Sequence, residues 1–438
     1  MSWSALSASA QREVDAVVSD WLSAADEGFA QAQFALGFVF EDGAGVAQSN
    51  EMAAHWYIKA AEQGNADAQC NLGSLFAKGS GVAQCLVTAA LWLKKAAEQG
   101  NADAQFGLGS AFQNASGVAQ SDAKAIFLFQ KSADQGQAWA QFKMGFMTLS
   151  GRGVPQNDVK AAQWYRLAAE QGHHIAQNKL GSLLLEGKGV VENKIEAAKW
   201  FRKAAGQDYM EAQFMLGYVL MEGLGVAQSD KKATLWLKKA ADQGCAQAQC
   251  KLGDMFVQGR GVQKSDAEAV KWYEMAAEQG DERGKFLLGL VLQYSSDGVT
   301  KNDEKAAYWL RNLAKDGHVE AQFELGLLFR KSCGVLQSDV EAVKWFKKAA
   351  DQGYAKAQCE LGEMTAQGLG VAQSCAEAMR LFKKASDQGD AQAQYMLGLM
   401  FKVGFKSMAK NDVKAAQWFT VAADQGHFQA QCELGFQF

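Results

Sequence analysis

Apolar residues recur along this chain at the spacing of a helix face, and the pattern itself recurs. Between Gln247 and Val257, Ala248, Leu252, Met255 and Phe256 form one apolar stripe; after Ser265, Ala269, Trp272, Tyr273 and Ala276 form a second. Gly259 and Gly261 interrupt the two, because glycine takes the positive φ of a tight turn at little cost. Ser265 stands as an N-cap with Glu268 three residues on, a capping box that Ser338 with Glu341 and Ser374 with Glu377 repeat. Gly280 ends the second stripe as a left-handed C-terminal residue. The spacing predicts an antiparallel helix pair.

The pair is one unit of a series. Leu-Gly or Met-Gly places Gly37, Gly73, Gly109, Gly145, Gly181, Gly217, Gly253, Gly289, Gly326, Gly362, Gly398 and Gly435 in steps of 36 residues, two of them 37. Trp occupies one slot of the second helix at 56, 92, 164, 200, 236, 272, 309, 345 and 418, with Leu128 and Leu381 in the remaining two. A glycine inside a helix costs about 1 kcal/mol relative to alanine, so its recurrence predicts close helix contact, with the Trp filling the groove opposite. A single pair cannot cover its own stripes, but stacked neighbours can. The predicted fold is all-α, an α-solenoid superhelix of about eleven 36-residue antiparallel helix pairs. Residues 1–28 form an N-terminal capping helix, with 9–27 reading as an unpaired second helix. Residues 29–438 form one continuous array ending in a terminal first helix.

The run Ala-x-Ala-Gln-Phe-x-Leu-Gly, then Gly-x-Gly-Val, Ala-x-x-Trp and Ala-Ala-x-Gln-Gly resembles the Sel-1-like repeat family of the tetratricopeptide-like α-solenoids. The 36-residue step and the Gly-x-Gly-Val turn favour it over the 34-residue tetratricopeptide repeat. The resemblance implies a superhelix with first helices on the concave face and a role as an adaptor for protein complexes. Departures from the pattern carry their own expectations. Asp208 replaces a terminal glycine and predicts a strained turn or an Asp side-chain bond. Ser295–Gly298 and Val403–Asp412 are each one residue longer. Phe436 and Phe438 stand without a following partner and point to a cap or to self-association through the C-terminal edge.

Composition narrows the function classes. Across 438 residues the net charge is -4, which gives no field for a polyanion and argues against nucleic acid as a partner. No stretch approaches the roughly 20 apolar residues that span a bilayer, and the first residues lack a signal-peptide pattern, so the expected location is cytoplasmic with no membrane insertion. Cys70, Cys250, Cys359 and Cys432 share the slot held elsewhere by Phe34, Phe106 or Phe142 and read as core thiols. His173, His318 and His427 follow the terminal glycine and read as solvated turn residues at a helix C-terminus. No Cys-x-x-Cys, metal-ligand cluster, Gly-Lys-Ser/Thr or Gly-x-Ser-x-Gly occurs, so Gly-x-Gly-Val reads as a helix breaker. Catalytic residues, metals and cofactors are not expected.

Slots that vary while the rest stay constant are free to carry specificity. Three on the first helix, spaced i, i+4 and i+7, share one face. They hold Trp139, Lys143, Phe146, Ile175, Lys179, Met215, Tyr218, Lys251, Glu324, Glu360 and Glu363. Lysines with apolar bulk mark the middle of the chain and glutamates its C-terminal part. Trp139 lies outside the repeated Trp slot and is the expected anchor. The expected function is a non-catalytic scaffold whose concave groove takes an extended or helical segment of another protein, charged at both ends. One alternative is an immunity or inhibitor protein neutralising a toxin or enzyme. The other is a β-lactam-binding or hydrolysing enzyme, as suggested for a cysteine-rich branch of the resembled family, although this chain lacks that branch's regular cysteine pairing.

Overall fold

The computed structural model describes residues 19–294, 302–404 and 409–435, which are helical with no strand among them. Expectations for residues 1–18, Ser295–Gly298, residues 405–408 of the Val403–Asp412 turn, Phe436 and Phe438 lie outside the described residues. The described helices alternate as first and second members of a pair, as in Ala246–Gln258 followed by Asp266–Glu278. Two compact units are formed, Met1–Gln228 and Ser229–Phe438.

Local chemistry sets each boundary. Except in Leu86–Glu98, where Cys85 stands at the N-cap without a capping side-chain bond, second helices begin on a Ser or Asn whose side chain accepts from the backbone N–H three residues on. Ser265 does so from Glu268 at 3.2 Å, and Asn157 from Lys160 at 2.9 Å. Most first helices end on glycine in the left-handed region, such as Gly259 at φ 68°, while Ala115 and Ser332 take that conformation in two others. The second glycine of Gly-x-Gly-Val does more than break the helix. A Cβ on Gly261 would stand 2.4 Å from the carbonyl oxygen of Asp230, and one on Gly189 would stand 2.2 Å from that of Asp158. The turn therefore sits directly on the start of the second helix one repeat earlier, and only a residue without a side chain fits.

The Leu-Gly glycines do mark close helix contact, but the Trp does not fill the groove. The residue after the Trp slot does. A Cβ on Gly181 would meet the Phe201 ring at 2.7 Å, one on Gly326 the Phe346 ring at 2.6 Å, and one on Gly73 the Leu93 side chain at 2.8 Å. Phe201 and Phe346 are fully buried. The Trp instead reaches back over the preceding core. Trp92 packs on the cluster of Ala54, Tyr57, Ala61, Ala68 and Leu72, and Trp418 on that of Phe382, Ala385, Ala393 and Leu397. The two neighbours differ because the helix turns about 100° between them: one faces its own pair and the other faces the previous repeat.

A buried glutamine ladder joins successive repeats. Gln69, in the Ala-x-Ala-Gln run, donates its side-chain amide to the Ala61 carbonyl at 3.0 Å and accepts from Gln99 at 2.8 Å. Gln141 repeats this with Ala133 and Gln171, Gln249 with Ala241 and Gln279, and Gln358 with Ala350 and Gln388. In each of these pairs the Gln at the end of a second helix binds the buried Gln one repeat back, which satisfies polar groups inside an apolar stack. Asp208 adopts φ 58°, and its carboxylate accepts from Gln213 Nε2 at 3.1 Å, the side-chain bond expected of it.

Candidate functional site

In the first unit the variable slots gather around an aromatic cluster. Trp139 lies at the start of helix Ala138–Ser150, preceded by Gln137, whose side chain caps the helix by accepting from Ala140 at 2.6 Å. Its ring stands 4.3 Å from that of His173, edge to face, and 6.3 Å from that of Phe142. His173 stacks on Phe142 at 4.8 Å and on His174 at 5.7 Å, and His174 meets Tyr209 at 5.0 Å. The cluster holds Trp139 in place while leaving it 44 % exposed, and Phe146, two turns on, is 42 % exposed. Between them Lys143 is half-buried and donates to Gln113 Oε1 at 3.3 Å. Burial holds its ammonium below the usual lysine range, and nearby Arg152 adds to the effect. Lys179 is exposed, while Ile175, Met215 and Tyr218 are half-buried.

His173 departs from its expected role as a solvated residue. It is only 7 % exposed and is the N-cap of helix His174–Glu186, where its Nδ1 accepts from the Ala176 N–H at 3.2 Å. Its Nε2 has no hydrogen-bond partner among the described residues. Burial, aided by His174, pushes its pKa down to about 4. His318 and His427 cap their helices in the same way, each accepting at 3.2 Å. These histidines begin helices as acceptors, a role open only to the neutral ring.

In the second unit the same slots are tied up internally. Glu360 and Glu363 both face Arg330: Glu360 is hydrogen-bonded to it, and Glu363 lies 3.7 Å away and accepts from Gln392 at 3.1 Å. Tyr294 donates to Glu324 at 2.9 Å. Burial pushes the carboxyls of Glu324 and Glu360 above the usual range; Arg330 pulls Glu360 the other way and Glu363 reinforces the rise. Lys251 is half-buried. Asp254 accepts from Tyr273 and Arg283, both at 2.8 Å, at the edge of a hollow of about 270 Å3 walled by Leu287 and Leu290. The glutamates are thus links between neighbouring repeats rather than a free acidic surface.

The sequence reading missed Arg330, Gln113 and Lys402, which occupy a further slot four residues after the Leu-Gly glycine. Each contacts the second variable slot of the next repeat: Gln113 meets Lys143, Arg330 meets Glu360 and Lys402 meets Glu433. Complementary residues 30 or 31 apart were the available signal. Among the cysteines, Cys70, Cys250 and Cys359 are buried as expected, and burial with neighbouring Asp103 and Asp67 pushes the Cys70 thiol up to about 12. Cys432 is exposed, contrary to expectation, since no described helix follows to cover it. Cys70, Cys85, Cys250, Cys333, Cys359, Cys375 and Cys432 are free thiols, and no metal-holding group of side chains occurs among the described residues. No described helix is long and apolar enough to cross a membrane.

Paired helices locked by inter-repeat glycine, tryptophan and glutamine contacts define an α-solenoid repeat protein. Eleven consecutive segments, from 30–65 and 66–101 through to 355–390 and 391–427, match the Sel1 repeat, and the chain belongs to that family. Among solved structures it is similar to c5321, described as a protective antigen present in uropathogenic Escherichia coli strains displaying an SLR fold. The two share 33% identity over 95% of this chain and 89% of that one, with a TM-score of 0.87. It is also similar to a Sel1 repeat protein from Oxalobacter formigenes, at 31% identity over 75% of this chain and 93% of that one, with a TM-score of 0.55. No curated protein matches the chain.

Proposed function

We propose that this protein is a non-catalytic scaffold that holds a segment of another protein on the first-helix face of its first unit. The Sel1 repeat solenoid is in general an interaction fold. The observation that carries the reading is the contrast between the units: the second spends Glu324, Glu360 and Glu363 on links between repeats, whereas the first leaves Trp139, Phe146 and Lys179 exposed, with Lys143 half-buried between the two aromatics. Interfaces are anchored by aromatic side chains within a polar rim. An anchor fixed before binding also loses less side-chain freedom on docking. The partner segment presents an apolar residue to Trp139 and Phe146 and carboxylates to the lysines.

The test is affinity purification with mass spectrometry from the native host, comparing wild type with the double variant Trp139→Ala, Lys143→Glu. Far-ultraviolet circular dichroism checks that the helices persist. Loss of specific partners from a folded variant is the expected result; recovery of the same partners at the same yield overturns the site.

A further inference from the structure

A second surface lies on the second helices of the first unit, away from the variable first-helix face. Leu128 occupies the slot that holds Trp in nine of the eleven repeats. The smaller side chain leaves a hollow of about 720 Å3 floored by Leu108 and Phe112. The corresponding hollow in the second unit, floored by Leu397 and Phe401 and containing Trp418, measures about 440 Å3. The rim carries Lys94, Lys124 and Lys131 against a single carboxylate, Glu98. Lys94 lies 3.7 Å from Glu98, but Lys124 stands over the Phe112 ring at 5.1 Å and Lys131 over the Phe127 ring at 4.6 Å, and neither has a carboxylate partner among the described residues. Beside the hollow the surface is apolar: Phe127 is 59 % exposed and Leu91, in the same slot one repeat earlier, 57 %. In later repeats that slot holds Lys199, Lys271, Lys344 and Arg380, and also Gln163, Leu235, Tyr308 and Gln417.

We infer that this hollow is a docking site for an acidic protein segment bearing one bulky aromatic side chain. The aromatic ring takes the volume that a tryptophan of the chain itself fills elsewhere, against Phe112 and Leu108. The segment's carboxylates meet Lys124 and Lys131, whose ammonium groups have only ring faces as partners. The size of the hollow suits a single anchored side chain with its flanking backbone, and the lysine excess selects acidic sequence and makes binding salt-dependent. Leu235 and Tyr308 are also exposed in the Leu91 slot, but their repeats carry Trp236 and Trp309 in the slot that Leu128 fills here.

The test measures binding of a fluorescein-labelled dodecapeptide of Asp and Glu with one central Trp to the full chain by anisotropy. The variants are Leu128→Trp, which installs the residue the other repeats use, and Lys124→Glu with Lys131→Glu. Leu128→Trp is expected to weaken binding at least tenfold with melting unchanged or raised. The lysine double variant is expected to abolish the salt dependence, and replacing the peptide Trp by Ala to weaken binding at least tenfold. Trp139→Ala should leave this binding unaltered, which separates the site from the first-helix surface. Three outcomes overturn the inference: equal affinity for Leu128→Trp, equal affinity for the Trp-free peptide, or binding of neutral N-acetyltryptophanamide as tight as that of the acidic peptide.

Discussion

The contact between Gly326 and Phe346 offers the sharpest check on how the repeats hold together. Phe346 is fully buried, and a Cβ on Gly326 would fall 2.6, 2.7 and 3.0 Å from three of its ring carbons. Phe346→Ala removes a ring from a closed core and should cost about 3–5 kcal/mol. Gly326→Ala gains about 1 kcal/mol of helix propensity but forces the ring against its neighbours, an overpacking cost of about 1–3 kcal/mol, so the net effect is a loss of up to ~2 kcal/mol. In the double variant the clash is gone while the propensity gain remains. It should therefore be about 1 kcal/mol more stable than Phe346→Ala alone, a non-additivity that only direct contact produces. Repeat arrays unfold in parts, so the quantity to measure is the local opening free energy from native-state hydrogen exchange of amides in Val319–Lys331 and Asp339–Asp351. Additive effects, or a larger loss from Trp345→Ala than from Phe346→Ala, would refute the assignment of the groove to the phenylalanine.

Two further predictions probe polar groups. Gln141→Leu deletes two ladder bonds but strands neither partner, because the Ala133 carbonyl still accepts from Gly136 N–H at 2.9 Å and Gln171 still donates to the Gly136 carbonyl at 2.8 Å. The cost should be about 2 kcal/mol, two ordinary hydrogen bonds, read by exchange in Ala138–Ser150; a change below about 0.5 kcal/mol would remove the ladder from the stability argument. His173, with its folded pKa pushed down to about 4, refuses a proton that the unfolded chain accepts near 6.5. Its contribution is therefore fully present above pH 6.5 and is lost as pH falls toward 4, by about 3 kcal/mol in all. His173→Asn keeps a cap and should flatten that pH dependence in His174–Glu186; an unchanged slope would show that another group titrates.

What the sequence yielded, and what it withheld, follows from where each signal resides. Helix pairs, caps and turns depend on residues a few positions apart, so Ser265 with Glu268, or Gly259 with Gly261, announced them directly. Contacts between repeats depend on residues about 30 apart, and a strict repeat conceals these: every constant residue is a fixed distance from every other, so constancy alone names no partner. Hence Trp was assigned a groove that belongs to its neighbour, and the paired glutamines of Ala-x-Ala-Gln and Gln-Gly read as motif letters rather than as one ladder. The exceptions are more informative than the rule. Asp208 was readable because it broke the pattern, and its bond to Gln213 followed. Arg330 with Glu360 breaks it too, at a separation that matches one repeat, and so turns an apparent acidic surface into an internal tie. The same reasoning directs attention to Leu128, where a missing tryptophan leaves a hollow beside Lys124 and Lys131, which face no carboxylate among the described residues. In an array whose regular positions are committed to stacking, recognition falls to the positions that have dropped out of it.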